Sequence, residues 1–451
     1  MRQTILLSLL LTLLIGCKKS DSSSNDDQKL PALEFNDPYV DYNSSTTTRY
    51  NATTDYSIIS SGYDDQSTKI QSAIDEISTN GGGILYFPSG TYLFAEVYMA
   101  SNVHIIASKD AIFKPYWATN EKAVNMLYFG PKVEADGHLV NCSIRCESDG
   151  EKFTVDYSHL NPDHSGEKGD GDNDYNIRFI VVRAVKNFLI SDIKILDNRT
   201  KYCGVIFSSV KSADRANDEV ICGTDGTIRD VAIYDANVGY GMCQLHAAKN
   251  LLFENLYADG GVSLRLEVDS GGVFEGLFDI CARNIVSEEG YTAVLMAPHE
   301  IHNGTIRIDG VTSIGSMYGV LMREGFIEAA DQGDDTLTNG TYASDSEIQN
   351  VHATSALTAQ INRLDTWVYD SSVLKQITAI DNYSNIVYYT GPSLAPVYDE
   401  TKDSYTVTVQ GVTQEGFISG YDGVLKYTEM DTSALSSKWD LINYIEKYYP
   451  L

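Results

Sequence analysis

Ala247-Ala248-Lys249-Asn250-Leu251-Leu252-Phe253 repeats, type for type, the earlier stretch Ala184-Val185-Lys186-Asn187-Phe188-Leu189-Ile190. Looser copies are Gly226-Thr227-Ile228-Arg229-Asp230-Val231-Ala232-Ile233, Asn303-Gly304-Thr305-Ile306-Arg307-Ile308 and Ser346-Glu347-Ile348-Gln349-Asn350-Val351. Each is a short strand, a polar turn and another short strand, and the copies start 21 to 56 residues apart. Units of that size bury only half a face until they stack, which is the logic of a solenoid. The longer intervals must hold insertions such as Asp331 to Asp345, rich in Asp, Gly and Thr, and such loops often rim a binding face. A β-sandwich would space its turns more closely and a propeller would carry a blade signature; the chain has neither.

Working outward from the repeats, the upstream region reads as their cap. Asp65-Gln66-Ser67-Thr68 opens a short amphipathic helix with Ile70, Ile74 and Ile77 a turn apart, and Asn80-Gly81-Gly82-Gly83 stops it. Ile84 to Phe87, Thr91 to Phe94 and Val103 to Ala107 follow as strands. This series resembles the N-terminal cap and first coils of right-handed parallel β-helix proteins that act on polysaccharides. The expected fold class is therefore all-β, a right-handed parallel β-helix over residues 56–435 with a short N-terminal capping helix. From about Gln376 the pattern weakens to irregular strands. Residues 436–451 read as a short helix packed on the coils.

The first residues carry a different signal. Met1-Arg2-Gln3-Thr4 is basic, Ile5 to Ile15 is apolar, and the run is too short for a membrane span. Leu14-Ile15-Gly16-Cys17 resembles a bacterial lipobox, with 1–17 as signal and Cys17 as the lipidated residue. Lys18 after it points, by analogy with sorting rules, to the outer membrane. Residues 18–55 have little to bury and read as a flexible polar tether. The membrane contact expected is the lipid anchor alone, on a monomer.

A net charge of −29 excludes nucleic acid as a natural partner. Yet nine of thirteen arginines, Arg178, Arg183, Arg199, Arg215, Arg229, Arg265, Arg283, Arg307 and Arg323, lie between residues 178 and 323. The planar guanidinium donates in pairs to sulfate or carboxylate, so this set is a candidate for recognising such groups. Six cysteines besides Cys17 read mostly as small buried residues, and their spacing forms no zinc pattern. His299 and His302 have no third ligand at suitable spacing, so no metal site is assigned.

Ser263-Leu264-Arg265-Leu266-Glu267-Val268-Asp269 alternates strictly, apolar at the even positions and polar at the odd ones. That is a half-buried strand with Arg265, Glu267 and Asp269 on the wet face. Residues two apart on a strand are about 6.6–6.8 Å apart. An inverting glycosidase separates its carboxyl groups by roughly 6.5–9.5 Å to admit a water, and a retaining one by about 5–5.5 Å. The spacing favours inversion and leaves the two roles unassigned.

With Gln244 one coil upstream and Pro298-His299 one coil downstream, Arg-Leu-Glu-x-Asp resembles the active centre of the iota-carrageenase family of glycoside hydrolases, over most of Gly81 to Gly325. The resemblance implies a β-helix that cuts a sulfated galactan with inversion. It makes Glu267 the general acid, Asp269 the general base, Gln244 a water- or anion-positioning residue and His299 a substrate or orienting contact. Arg265 and Arg323 are then candidates for sulfate, with Lys249 a weaker one because the matching Lys186 suggests a repeat turn. No cofactor is required, and structural calcium and chloride are left open. Arg323 to Val351 is too short for an inserted domain, so an open groove is expected.

Three rivals remain at this level. A polygalacturonase-type hydrolase would want a Gly-His-Gly, but Gly137-His138 runs into Leu139. A β-helix lyase would use a lysine or arginine base with calcium. A non-catalytic glycan-binding lipoprotein would want the arginines without both Glu267 and Asp269.

Overall fold

A computed structural model describes residues 29–43, 46–117, 123–133, 137–160, 176–210, 221–268, 276–327, 332–362, 365, 368–369, 373, 376–381, 387–417 and 423–429. Each repeat folds as one coil, and the coils stack into three parallel sheets. In the first sheet Phe188, Gly226, Leu251, Ile280 and Ile306 stand side by side. In the second the column is Leu256, Ile285, Val311, Val351 and Val412. In the third it is Val205, Cys243, Leu264, Val294, Val320 and Val397. Nearly all of these point inward and are buried, so the core is a stack of apolar layers. The chain is a right-handed parallel β-helix, as the repeats and the cap series implied.

The corners explain the Lys-Asn of the repeat. Asn187 and Asn250 adopt φ of 56° and 50°, a left-handed conformation that asparagine tolerates better than most residues. Their amides bond from coil to coil: Asn187 Nδ2 donates to Asn141 Oδ1 at 2.8 Å, and Asn250 Nδ2 to Asp225 Oδ1 at 2.6 Å. A second left-handed corner runs through Asp230, Asn255 and Asn284, joined by amide bonds of 3.0 and 2.9 Å. Inside, the Phe188 ring fills the space beside Gly226, where a Cβ would sit 2.2 Å from it. The helix Ser67–Thr79 buries Ile70, Ala73, Ile74 and Ile77 against the first coils.

Two segments depart from expectation. The tether expected over 18–55 is docked from Lys29 onward, because its backbone N–H groups and a few acidic and aromatic side chains find partners on the outer face of the first sheet. Leu30 N donates to Asn350 Oδ1, Leu33 N to Asp309 Oδ2, and Val40 N to Asn187 Oδ1. Asp41 pairs with Arg145, while Tyr42 stacks on His104 at 3.7 Å. The strap thus descends from the late coils to the early ones, and Arg49–Asn51 joins the sheet beside Ile84 to Tyr86. Residues 1–28 and 430–451, with the expected signal, Cys17 and the C-terminal helix, lie outside the described residues.

The other departure bears on the groove. Ala359–Ile361, Thr378–Asp381 and Val387–Gly391 form a small antiparallel sheet. It covers the third parallel sheet at the late coils, where Leu295, Leu321 and Tyr398 pack with Ile361, Val368, Tyr369 and Tyr389. The groove is therefore walled at one end. Apolar residues on both faces of Thr292–Ala297, all buried, required that cover.

Candidate active site

Four residues singled out in the sequence meet on the third sheet. Gln244, in Gly223–Leu245, lies in register beside Arg265 of Ala247–Glu267. Arg265 and Glu267 share the outward face, while Leu264, Leu266 and Val268 are fully buried, as the alternation requires. Glu267 stands beside Ala297 on the next coil. Two residues further on, His299 turns at φ 48° and places Nε2 3.3 Å from Glu267 Oε1. Its ring packs against Phe326, centroids 4.5 Å apart. Arg265 pairs through Nη2 with Glu267 Oε2 and donates through Nη1 to the Gly239 carbonyl.

These side chains line a cavity of about 310 Å³. Four residues that the sequence reading did not assign to the site line it too: Arg178, Tyr202, Tyr240 and His246. His246 was within reach of the same argument, since it lies two residues past Gln244 and so on the same face. The other three come from coils whose unequal lengths hide their proximity.

Burial acts to raise the Glu267 carboxyl, but Arg265, then His299 and His246, outweigh it and hold the group at about 2. Glu267 is thus ionised in the ligand-free cavity, with its side chain 16% exposed. Asp269 lies outside the described residues.

The remaining candidates sit elsewhere. Lys249 is exposed at the left-handed corner before the first sheet, beside Thr224 and Phe278, and is a repeat turn residue as its likeness to Lys186 suggested. Arg323 is not available for sulfate as the structure stands. Its Nη2 lies 2.9 and 3.1 Å from the two oxygens of Asp365, and its Nη1 is 3.1 Å from Glu400. Tyr291 Oη also donates to Asp365. This network pins the antiparallel excursion to the coils. Asp365→Asn should therefore cost about 2 kcal/mol, the worth of bonds to a charged group, read as a lower midpoint in denaturant unfolding. An unchanged midpoint would show that the network does not hold the excursion. Arg199, Arg229, Arg283 and Arg307 likewise pair with Asp235, Asp37, Glu254 and Glu347. Among the described residues no group of three or more His, Cys, Asp or Glu side chains is placed to hold a metal ion.

Fold and site together define a parallel β-helix with a carboxylate, an arginine and a histidine gathered on one sheet. Residues 50–262 match the family model described as rhamnogalacturonase A/epimerase, pectate lyase-like. More particularly, the chain is similar in sequence to iota-carrageenases, as the residues around Glu267 implied. It is 34% identical over 289 residues to the iota-carrageenase of Zobellia galactanivorans, covering 63% of this chain and 54% of that one. To the iota-carrageenase of Alteromonas macleodii it is 30% identical over 298 residues, covering 65% and 56%. The chain spans little more than half the length of these curated relatives. A solved structure named 1,3-alpha-1,4-beta-D-galactose-4-sulfate-3,6-anhydro-D-galactose-2-sulfate 4 galactohydrolase superposes with a TM-score of 0.76 at 24% identity, over 89% of this chain and 96% of that one. At that identity it speaks to the fold.

Proposed function

We propose that this chain is a glycoside hydrolase that cuts the β-1,4 linkages of iota-carrageenan with inversion. The observation that carries the reading is the meeting of Gln244, Arg265, Glu267 and His299 in one cavity, in a relative of the iota-carrageenases. The substrate would carry a sulfate on each sugar of its repeat, as in the name of the solved relative. Arg265, a forked donor at the cavity wall, suits such a group.

In this reading Glu267 protonates the leaving glycosidic oxygen, and Asp269 takes a proton from the water that attacks the anomeric carbon on the opposite face. Gln244 positions that water or a bound anion, and His299 orients the Glu267 carboxyl. A general acid must hold a proton, whereas Arg265 keeps Glu267 ionised in the ligand-free cavity. A substrate sulfate that engages Arg265 removes this restraint; burial then favours the neutral acid.

The test is to incubate the protein with iota-carrageenan, count new reducing ends and follow the anomers by NMR. Inversion makes the α anomer appear first. Ultraviolet-absorbing unsaturated ends would mean a lyase, and binding without cleavage would leave a surface glycan-binding protein.

Attachment through a lipid on Cys17, at the outer membrane, is part of the same proposal. Cys17→Ala should move the protein from the membrane fraction to the soluble one in a cell that processes lipoproteins. An unchanged membrane fraction would refute the anchor.

A further inference from the structure

The segment between the strands Tyr318–Arg323 and Glu347–Thr354 comes back to His299 at both of its ends. Phe326 N and Gly340 N donate to one and the same carbonyl, that of His299, at 2.8 and 2.7 Å. Gly340 has to be glycine for this. A Cβ there would lie 2.5 Å from Ile301 N and O and 2.6 Å from the Pro298 carbonyl oxygen. His302 secures the returning arm, its two ring nitrogens 3.0 and 2.8 Å from the hydroxyls of Thr341 and Thr338. Next in the chain, Tyr342 Oη donates to the carbonyl of Leu266, the residue before Glu267. One arm therefore reaches the histidine and the other the strand of the acid.

These bonds fix the backbone of His299 at φ 48°, but a fixed backbone still leaves the imidazole its own two torsions. Its contact with Glu267, 3.3 Å from Nε2 to Oε1, is long for a hydrogen bond and by itself holds the ring weakly. Phe326 supplies a further restraint, its ring against the imidazole with centroids 4.5 Å apart and planes at 38°. The Phe326 side chain is 41% exposed, so burial in the core does not account for it. Among the described residues it does not line the cavity either, whereas His299 does. What it does touch is the histidine.

We propose that Phe326 is a positioning residue for the acid: its ring sets the plane of the His299 imidazole, and the imidazole sets the Glu267 carboxyl. The proposal rests on the hydrolase reading for what Glu267 does, while the chain from Phe326 through His299 to Glu267 is its own content. Around Glu267 stand Arg265 from its own strand, His246 from the preceding coil, His299 from the following one and the Tyr342 hydroxyl. Burial acts to raise the carboxyl, Arg265 lowers it most, and the bond to His299 comes next. A loosened imidazole therefore lets the carboxyl rise and lets it drift from the leaving oxygen.

The experiment is a double-mutant cycle of Phe326→Ala and His299→Ala on iota-carrageenan, with Phe326→Tyr as the conservative variant. Phe326→Ala should melt near wild type, because the side chain it removes is exposed. Its kcat should fall about 10- to 100-fold, what a misplacement of about an ångström costs, with KM nearly unchanged. The basic limb of its kcat/KM profile should move to higher pH, because the free acid keeps its proton longer. Phe326→Tyr keeps the ring and should recover most of the loss. In the His299→Ala background, Phe326→Ala should cost nothing further. Equal losses with and without His299 would overturn the proposal. So would no loss at all, or a raised KM at constant kcat, which would make the ring a sugar contact. The polymer-free protein gives a readout that needs no cleavage. The nitrogen-15 signals of the His299 ring, which report its bonding to Glu267, should move in Phe326→Ala in the direction they move in Glu267→Ala. If wild type cuts nothing, such a movement upholds the chain from Phe326 to Glu267 while the hydrolase reading falls; signals that stay in place overturn the chain as well.

Discussion

Glu267→Gln is expected to lower kcat on iota-carrageenan by about 10²- to 10⁴-fold, the usual worth of a positioned general acid. The amide keeps the shape of the carboxyl and has no proton to deliver to the leaving oxygen. It also removes the negative charge that engages Arg265 through an ion pair. With that guanidinium released, KM for the sulfated polymer should stay level or fall, so the loss lies in turnover rather than in binding. Initial rates of reducing-end release over a range of polymer concentration separate the two. A variant that keeps more than about a tenth of wild-type kcat would remove Glu267 from the acid role, since the smallest expected loss is larger. A rise in KM with unchanged kcat would make it a binding residue instead.

This prediction could be framed from the chain alone because a strand has a period of two. Alternation over Ser263 to Asp269 placed Arg265 and Glu267 outward and Leu264, Leu266 and Val268 inward, and burial follows that division. The Lys-Asn repeats also located the corners, since an asparagine that turns the chain at positive φ and bonds to the next coil must recur once per coil. What stayed hidden was distance between coils. Tyr202 and Tyr240 are 38 residues apart in number yet touch, because intervening loops of unequal length cancel once the coils stack.

The arginines misled for a related reason. Their concentration between residues 178 and 323 suggested one anion-binding set, but side chains on the first sheet look away from the third. Arg229, Arg283 and Arg307 are occupied by the strap, through Asp37 and the Phe35 ring, or by acidic residues of neighbouring coils. The strap itself escaped notice because its apolar content is low. Its attachment depends on single contacts at successive coils rather than on a hydrophobic face, and no local pattern announces that. Arg323 was misread because its partner, Asp365, arrives on an excursion whose placement no periodicity predicts.

Arg265→Gln carries the second large effect, and it acts in two directions. As the sulfate contact of the proposed reaction, Arg265 should be worth about 100-fold in kcat/KM, the cost of a lost charge-assisted fork. As the partner of Glu267 it opposes the acid form. With Arg265 holding the carboxyl at about 2, the free protein carries almost no proton there at pH 7. Substrate binding to wild type at neutral pH should therefore take up close to one proton, as the sulfate draws Arg265 away and burial raises the carboxyl. Calorimetry in buffers of different ionisation heat measures that uptake directly. The kcat profile, which reports the complex, should then hold to higher pH than kcat/KM, which reports the free enzyme. In Arg265→Gln the carboxyl loses its strongest lowering influence before substrate arrives, so its free-state value rises. Proton uptake on binding should shrink, and the basic limbs of the two profiles should draw together. Wild type that binds polymer without taking up a proton would show that Arg265 does not control the acid. So would a variant whose two limbs stay as far apart as before, leaving Arg265 a sulfate contact alone.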